Sequence, residues 1–371
     1  MTTFHKTADT LIDGAMTLPR YYYTDKNNYE REINSIFHRS WISCTRSSEL
    51  INPGAFIALN LGDESIIVLR DGTHQLRAFY NICRHRGTRI CTQNSGRFSK
   101  SIQCGYHGWT YHLNGDLIGA PHMEAVDGFE KSNYPLFSIP LLEWDGFIFL
   151  NLSDEPPKTM GEAFNKLQHR FSAWKINELK TYKKISYDVQ CNWKLILQNY
   201  SECYHCPLIH PQLADKTPYT SGRNDMTAGP ILGGYMDVKT ESISASGGLC
   251  GPVLPDLSEE NKTRVYYYSI FPNMMISLHP DYVMVHQVWP VDTQHCKIDC
   301  TWLFPENAIG NTHYNPQSAV DFWDKTNRQD WQICEQSMQG ILSKKYVPGP
   351  YSGQESLLAA FDQYYLKKLG E

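Results

Sequence analysis

The sequence predicts an α+β fold in two blocks. Three observations carry that prediction. Between about residues 40 and 152, strand-length apolar stretches ("AFIALNL", "SIIVLR", "LRAFYN", "GWTYHL", "GFIFLNL") alternate with Gly, Asn and Asp turns. Between about 232 and 305 a second set ("RVYYYSIF", "YVMVHQVW", "CKIDCTWLF") is separated by Pro and Asp, as in an antiparallel sheet. Helical periodicity surrounds this second set.

The elements follow in order. "TDKNNYEREINSIFHRSW" reads as a helix, with Thr24 or Asp25 as cap and Tyr29, Ile33 and Phe37 on one face. The first strand block is expected to form a small all-β domain over 40–152. "SDEPPKT" then reads as a linker. The second domain takes 1–39 and 153–371. Its "NWKLILQNYSECYH" reads as a helix stopped at Pro207. "SAVDFWDKTNRQDWQICEQSMQGILSKKY" reads as one long helix ended by Pro348-Gly349-Pro350.

Composition narrows the function. The 371 residues are 41% hydrophobic and 20% charged, with a net charge of −5. No basic stripe is present, so nucleic acid is not an expected partner. No apolar run reaches the roughly 20 residues of a membrane span, and no secretory pattern opens the chain. A soluble, cytoplasmic protein is expected. Eleven cysteines without a secretory signal point to metal binding by some rather than to a disulfide framework.

Two motifs carry chemistry. The first is Cys83-x-His85, eighteen residues, then Cys104-x-x-His107. Two thiolates and two imidazoles suit one tetrahedral zinc. They also suit a [2Fe–2S] cluster with the cysteines on one iron and the histidines on the other. Gly87, Gly105 and Gly108 free the backbone of both loops. The second motif is "NYSECYHCPLIHP", with His205 and His210 brought together by a chain break at Pro207. Cys203 and Cys206 offer a zinc knuckle as the rival reading; we read them as packing. Two histidines and one carboxylate on one face would make an open Fe(II) site. The late helix offers Asp321, Asp324, Asp330 and Glu335. At about 100° per residue, Asp330 lies at the centre of the face formed by Ile333, Cys334, Ser337, Met338 and Ile341. A carboxylate there is costly unless paired or metal-bound. A salt bridge or cap inside a core would satisfy it equally.

"CRHRG" and "CGYHGW" match the two ligand loops of the Rieske family, and "NYSECYHCPLIHP" resembles the N-x-x-E-x-x-H-x4-H-P iron motif of Rieske non-haem iron oxygenase α subunits, the ring-hydroxylating family. Asn199, Glu202, His205 and His210 fall at its positions, and D-x4-E-x3-Q matches Asp330, Glu335 and Gln339. The resemblance covers roughly residues 20–369. It implies a Rieske domain holding a [2Fe–2S] cluster through Cys83, His85, Cys104 and His107. It implies a helix-grip catalytic domain holding mononuclear Fe(II) through His205, His210 and Asp330, with Asn199 and Glu202 as catalytic residues. Glu202 would bridge a Rieske histidine of one subunit to an iron-binding histidine of the next, in a head-to-tail homotrimer. A glutamate there resembles the branch acting on quaternary amines, the choline, glycine betaine and carnitine monooxygenases. The implied reaction uses O2 and electrons from a separate NAD(P)H-dependent reductase, with or without a ferredoxin, to hydroxylate a C–H bond of a small organic substrate. Oxidative N-demethylation is the reading taken. A ring-hydroxylating dioxygenase, often with a small β subunit, is the alternative, and a non-enzymatic Rieske electron carrier the contrasting class. Tyr266, Tyr267, Tyr268, Tyr282, His286 and Trp289 lie on the strands expected to carry the pocket. Strand alternation would turn some of them inward, toward a cation, and plain core packing accounts for any of them as well.

Overall fold

The computed structural model describes residues 2–371. Contacts divide the chain into two compact units. One takes the chain up to Ile36 together with Pro157–Glu371; the other is Phe37–Pro156.

The Phe37–Pro156 unit is built from three small antiparallel sheets. Ala55–Leu61, Glu64–Arg70, Leu76–Tyr80 and Ser95–Arg97 form the largest. Its Glu64–Arg70 strand buries Ile66, Ile67, Val68 and Leu69 in succession, so it runs through the interior rather than along a face. The second sheet joins Ser101–Gln103, Thr110–His112 and Leu117–Gly119, and the third joins Ile42–Arg46, Phe147–Leu150 and Leu141–Trp144. Phe56, Phe79, Ile102, Trp109 and Tyr111 pack into one core with Cys83 and Cys104.

The other unit carries an eight-stranded sheet. From edge to edge it runs His5–Lys6, Arg223–Met226, Ile231–Asp237, Arg264–Ile270, Met274–Leu278, Val283–Asp292, His295–Phe304 and Lys180–Val189, each pair antiparallel. The "LGGY" stretch permits close strand contact. A Cβ on Gly234 would lie 1.9 Å from the Arg223 carbonyl oxygen. The helix Pro316–Ile341 packs on the Lys180–Val189 strand and on the helix Trp193–Tyr200. Pro316 stands in its first turn, where no donor is lost.

Three expected elements differ. The first expected helix starts at Lys26, is α-helical to Glu32 and continues as a π-helical stretch over Ile33–Phe37, and of its two candidate caps Asp25 accepts the Asn28 amide. The second ends at Tyr200, where the Ser201 hydroxyl donates back to the Leu197 carbonyl at 2.6 Å. Pro207 therefore stops nothing; it sits in the first turn of the next short helix, Cys206–Ile209, where proline is tolerated. The long helix ends at Ile341, one residue past Gly340 and short of Pro348.

Candidate active site

The Trp193–Tyr200 helix is seated by Asn192, whose side chain accepts the Lys194 amide at 3.1 Å. The chain then turns sharply through 201–205. Glu202 shapes this turn: its carboxylate accepts the amides of Tyr204 and, at 3.2 Å, His205. Its other oxygen holds His205 Nδ1. Glu202 thus reaches His205 across a capped turn, not along the expected helix. Cys203 and Cys206, expected as packing, are joined by a disulfide that closes this turn around His205.

His210 opens the next helix, Pro211–Lys216, and is 3% exposed. Gln329 Oε1 lies 2.9 Å from its Nδ1. An amide oxygen only accepts, so Nδ1 carries the proton and Nε2 faces Asp330 Oδ1 at 2.7 Å. His205 Nε2 lies 3.3 Å from the same oxygen. The two nitrogens and the carboxylate oxygen lie within 4.8 Å of one another. Burial pulls His205 down, but hydrogen bonds to Asp330 and Glu202 outweigh it and lift the imidazole to about 10. Burial raises Asp330, and the two histidines outweigh that and hold its carboxyl below the ordinary value. The donor set thus stabilises positive charge between its members. An N,N,O face open to a cavity fits Fe(II), and both imidazoles are oriented through Nδ1 as metal-bound histidines are. We expect Gln329→Ala to weaken Fe(II) binding about 10- to 100-fold, measured by anaerobic titration against a chelator. Unchanged affinity would sink that role.

The other carboxylates of the helix are engaged elsewhere. Asp321 accepts from Gln317, Asp324 from the Tyr187 hydroxyl and Arg328, and Glu335 from the Gln190 amide.

A cavity open to the surface adjoins this group. Asn199, Tyr200, Tyr235, Tyr267, His286 and Trp323 border it. Of the strand aromatics singled out in the sequence, Tyr267 and His286 reach it. Tyr266 and Tyr268, one residue to either side of Tyr267, are buried against Trp174 and Phe171, as alternation requires. Tyr282 stacks on His279, and Trp289 does not border the cavity. Burial holds His286 down to about 4, so its ring is neutral.

In the Phe37–Pro156 unit the two Cys/His loops repeat one geometry. The Gly87 amide donates to the Cys83 carbonyl at 3.0 Å, and the Gly108 amide to the Cys104 carbonyl at 3.1 Å. The Cys83 amide donates to Thr88 and the Cys104 amide to Trp109, each at 2.8 Å. Gly87 and Gly108 have φ of 73° and 72°, which side chains disfavour. Buried Asn81 pins the first loop, accepting the amides of Ile90 and Cys91 and donating to the Cys91 carbonyl. Both cysteines are buried and both histidines exposed, with the imidazole centroids 4.7 Å apart. Thiols inside and imidazoles outside suit a binuclear iron–sulfur cluster with its histidine-bound iron toward the surface.

The sequence reading missed Gln329, which stands beside Asp330, and Tyr111, whose hydroxyl lies 3.3 Å from Cys83 Sγ. Only the adjacency of Gln329 to an acid on a buried face hinted at the former, and nothing local at the latter.

Comparison with known proteins places these features. Residues 40–130 match the Rieske [2Fe-2S] domain and residues 176–371 the ring hydroxylating alpha subunit (catalytic domain). The chain is 34% identical over 339 residues to the carnitine monooxygenase oxygenase subunit of Escherichia coli K12, covering 90% of this chain and 86% of that one. It is 29% identical to the glycine betaine monooxygenase oxygenase subunit of Pseudomonas aeruginosa, covering 98% and 93%. Its fold resembles a solved quaternary ammonium Rieske monooxygenase (TM-score 0.82, 25% identity, 96% of each chain). It also resembles naphthalene 1,2-dioxygenase from Rhodococcus (TM-score 0.76, 17% identity, 95% and 94%). The chain belongs to the ring-hydroxylating α-subunit family and is a Rieske-type oxygenase, an oxidoreductase with a [2Fe–2S] domain and a mononuclear-iron catalytic domain.

Proposed function

We propose that the chain is the oxygenase component of a system that hydroxylates an N-methyl group of a quaternary ammonium substrate. The observation that carries this reading is the convergence of His205, His210 and Asp330 beside a cavity walled by aromatic rings. Such rings suit an alkylammonium cation, whose charge their faces attract. The relatives named for carnitine and glycine betaine support the substrate class. In the proposed assignment, residues 40–152 form the Rieske domain, with Cys83 and Cys104 on one iron and His85 and His107 on the other. His205, His210 and Asp330 hold the mononuclear iron.

When bound, the iron supplies O2 activation and the cluster single electrons, for a net conversion of C–H, O2, two electrons and two protons to C–OH and water. The chain's own residues orient and seal. Glu202 and Gln329 fix the two imidazoles, while Tyr200, Tyr267 and Trp323 keep water from the bound methyl group. Asn199 borders the same cavity, beside the turn that carries Glu202. The hydroxylated methyl then breaks from nitrogen as formaldehyde. A separate NAD(P)H-dependent reductase is the proposed electron source. A homotrimer is the proposed assembly, with Glu202 linking His205 to the neighbouring copy's Rieske histidines, and the cytoplasm the proposed setting.

Formaldehyde release from trimethylammonium compounds, coupled to O2 uptake with an added reductase, tests the reading. Ring dihydroxylation of indole with no formaldehyde from any ammonium compound would overturn it in favour of a ring dioxygenase, a reading that the apolar cavity and the naphthalene dioxygenase fold also favour. The Rieske assignment carries its own prediction. The Tyr111 hydroxyl stabilises the added charge on reduction, so Tyr111→Phe should lower the cluster potential by about 20–60 mV, the equivalent of one hydrogen bond. Spectroelectrochemistry checks this, and an unshifted potential removes Tyr111 from the account.

A further inference from the structure

The charged side chains of the cavity lining gather at its iron-binding end. Glu202 and Asp330 border it, and among the described residues no Lys or Arg does. Five cations adjoin its lining in sequence, Lys6, Lys216, Arg223, Lys325 and Arg328; Lys6 is exposed, Lys325 Nζ donates to Gln212 at 3.1 Å and Arg328 Nε to Asp324 at 3.0 Å. Arg223 lies between Gly222 and Asn224, and its guanidinium donates to the carbonyls of Ser221 and Gly222 at 3.2 and 2.9 Å. Lys216 precedes Thr217, and its ammonium sits 5.6 Å over the Phe322 ring. Away from the iron-binding end, a substrate carboxylate brought into this cavity would be stripped of water without a lysine or arginine to receive it.

Two side chains that border the cavity carry a buried polar atom without a hydrogen-bond partner, His286 Nδ1, an acceptor edge, and Trp331 Nε1, a donor. His286 borders it and is 1% exposed, and its Nδ1 has no hydrogen-bond partner. The state of that nitrogen follows from a chain of bonds. Asp324 takes Arg328 Nε at 3.0 Å on one oxygen and the Tyr187 hydroxyl at 2.7 Å on the other. Having donated to Asp324, Tyr187 accepts from Asn327 Nδ2 at 3.3 Å, and the same amide group points at Cys300 Sγ at 3.6 Å. The Asn327 oxygen is thereby turned to His286 Nε2, at 3.2 Å. Nε2 must carry the proton, and Nδ1 is a bare acceptor. Asn327 takes the Nε2 edge, and the Trp331 and Tyr200 rings stand 6.0 and 6.1 Å away. The Nδ1 edge has no partner within the protein.

We infer that His286 is a specificity-determining residue, accepting a hydrogen bond from an alcohol O–H or ammonium N–H of a cationic substrate that carries no carboxylate. This rests on the ammonium reading above. A carboxylate there would set lone pair against lone pair, and an alkyl group would leave the acceptor unmet.

The test is anaerobic calorimetry on the iron-loaded protein with four probes of similar size. They are choline, N,N-dimethylethylamine, ethyltrimethylammonium and glycine betaine. We expect the better of the two donor probes to bind about tenfold more tightly than ethyltrimethylammonium and about 100-fold more tightly than glycine betaine. Which donor probe leads decides between O–H and N–H. In His286→Phe the ratio of donor to ethyl probe should fall to about one, a change that a merely structural histidine would not produce. Should that variant fail to fold, the ratios in the unaltered protein decide alone. Glycine betaine binding as tightly as choline, or ethyltrimethylammonium as tightly as both donors, overturns the inference while leaving the ammonium reading standing. No binding by any of the four overturns both.

Discussion

Asp330→Ala is expected to empty the catalytic iron site and abolish turnover while the Rieske absorption persists. Asp330 Oδ1 faces both His205 Nε2 and His210 Nε2, so one substitution removes a proposed ligand and the only carboxylate of the three-donor group. The remaining imidazoles are neutral ligands that neither balance a divalent charge nor complete a face. The loss should be local. His205 stays anchored by Glu202 and His210 by Gln329, both through Nδ1. Iron should fall from about three to about two per chain, with acid-labile sulfide and visible bands unchanged. Asp330→Asn separates charge from shape, since it keeps an oxygen in place but not the anion, and it should also lose iron. A variant that retained full iron in anaerobic preparations would move the third ligand elsewhere.

The parts of this site legible in the sequence are those whose chemistry is local. Both Cys/His loops lie within 25 residues of chain, and each loop's turn needs its own glycine at positive φ. His205 and His210 are close in sequence, and the structure brings them together with Asp330 from the distant helix. Asp330 stood out by helical phase, which is a one-dimensional property, and its rivals Asp324 and Glu335 prove to have their own partners. What escaped was set by tertiary contact. Periodicity alone sets Glu202 on a helix, because it cannot foresee that Ser201 turns back on Leu197 and ends it. The Cys203–Cys206 bond depends on the tight turn that follows. The choice of Tyr267 over Tyr266 and Tyr268 needs the face of the strand to be known, and a one-residue error in phase exchanges all of them.

Glu32→Ala is expected to cost about 3–5 kcal/mol of stability, far more than a surface ion pair would. Glu32 Oε1 meets Lys194 Nζ at 2.5 Å, and both side chains are fully buried. Trp193 Nε1 donates to the other oxygen at 2.7 Å, and Asn28 and the Tyr365 hydroxyl donate to Oε1 at 2.9 and 2.5 Å. The cluster ties the Lys26–Glu32 helix and the Ser356–Leu369 helix to the helix that leads into the Glu202–His210 turn. Removing Glu32 leaves an ammonium over the rings of Tyr23, Trp193 and Tyr365 with its principal counter-charge gone. The cost is that of an uncompensated charge, so the double variant Glu32→Leu with Lys194→Met should be more stable than Glu32→Ala. The pH dependence separates this from lost packing. Burial already lowers Lys194 against the pull of Glu32, and without Glu32 it must fall further. Between that lowered value and the ordinary lysine value the unfolded chain binds the extra proton, so the stability of Glu32→Ala should rise with pH across that window. Urea unfolding at several pH values reads the slope directly. A slope in Glu32→Ala no steeper than in the double variant would mean that the cluster acts by shape and not by charge.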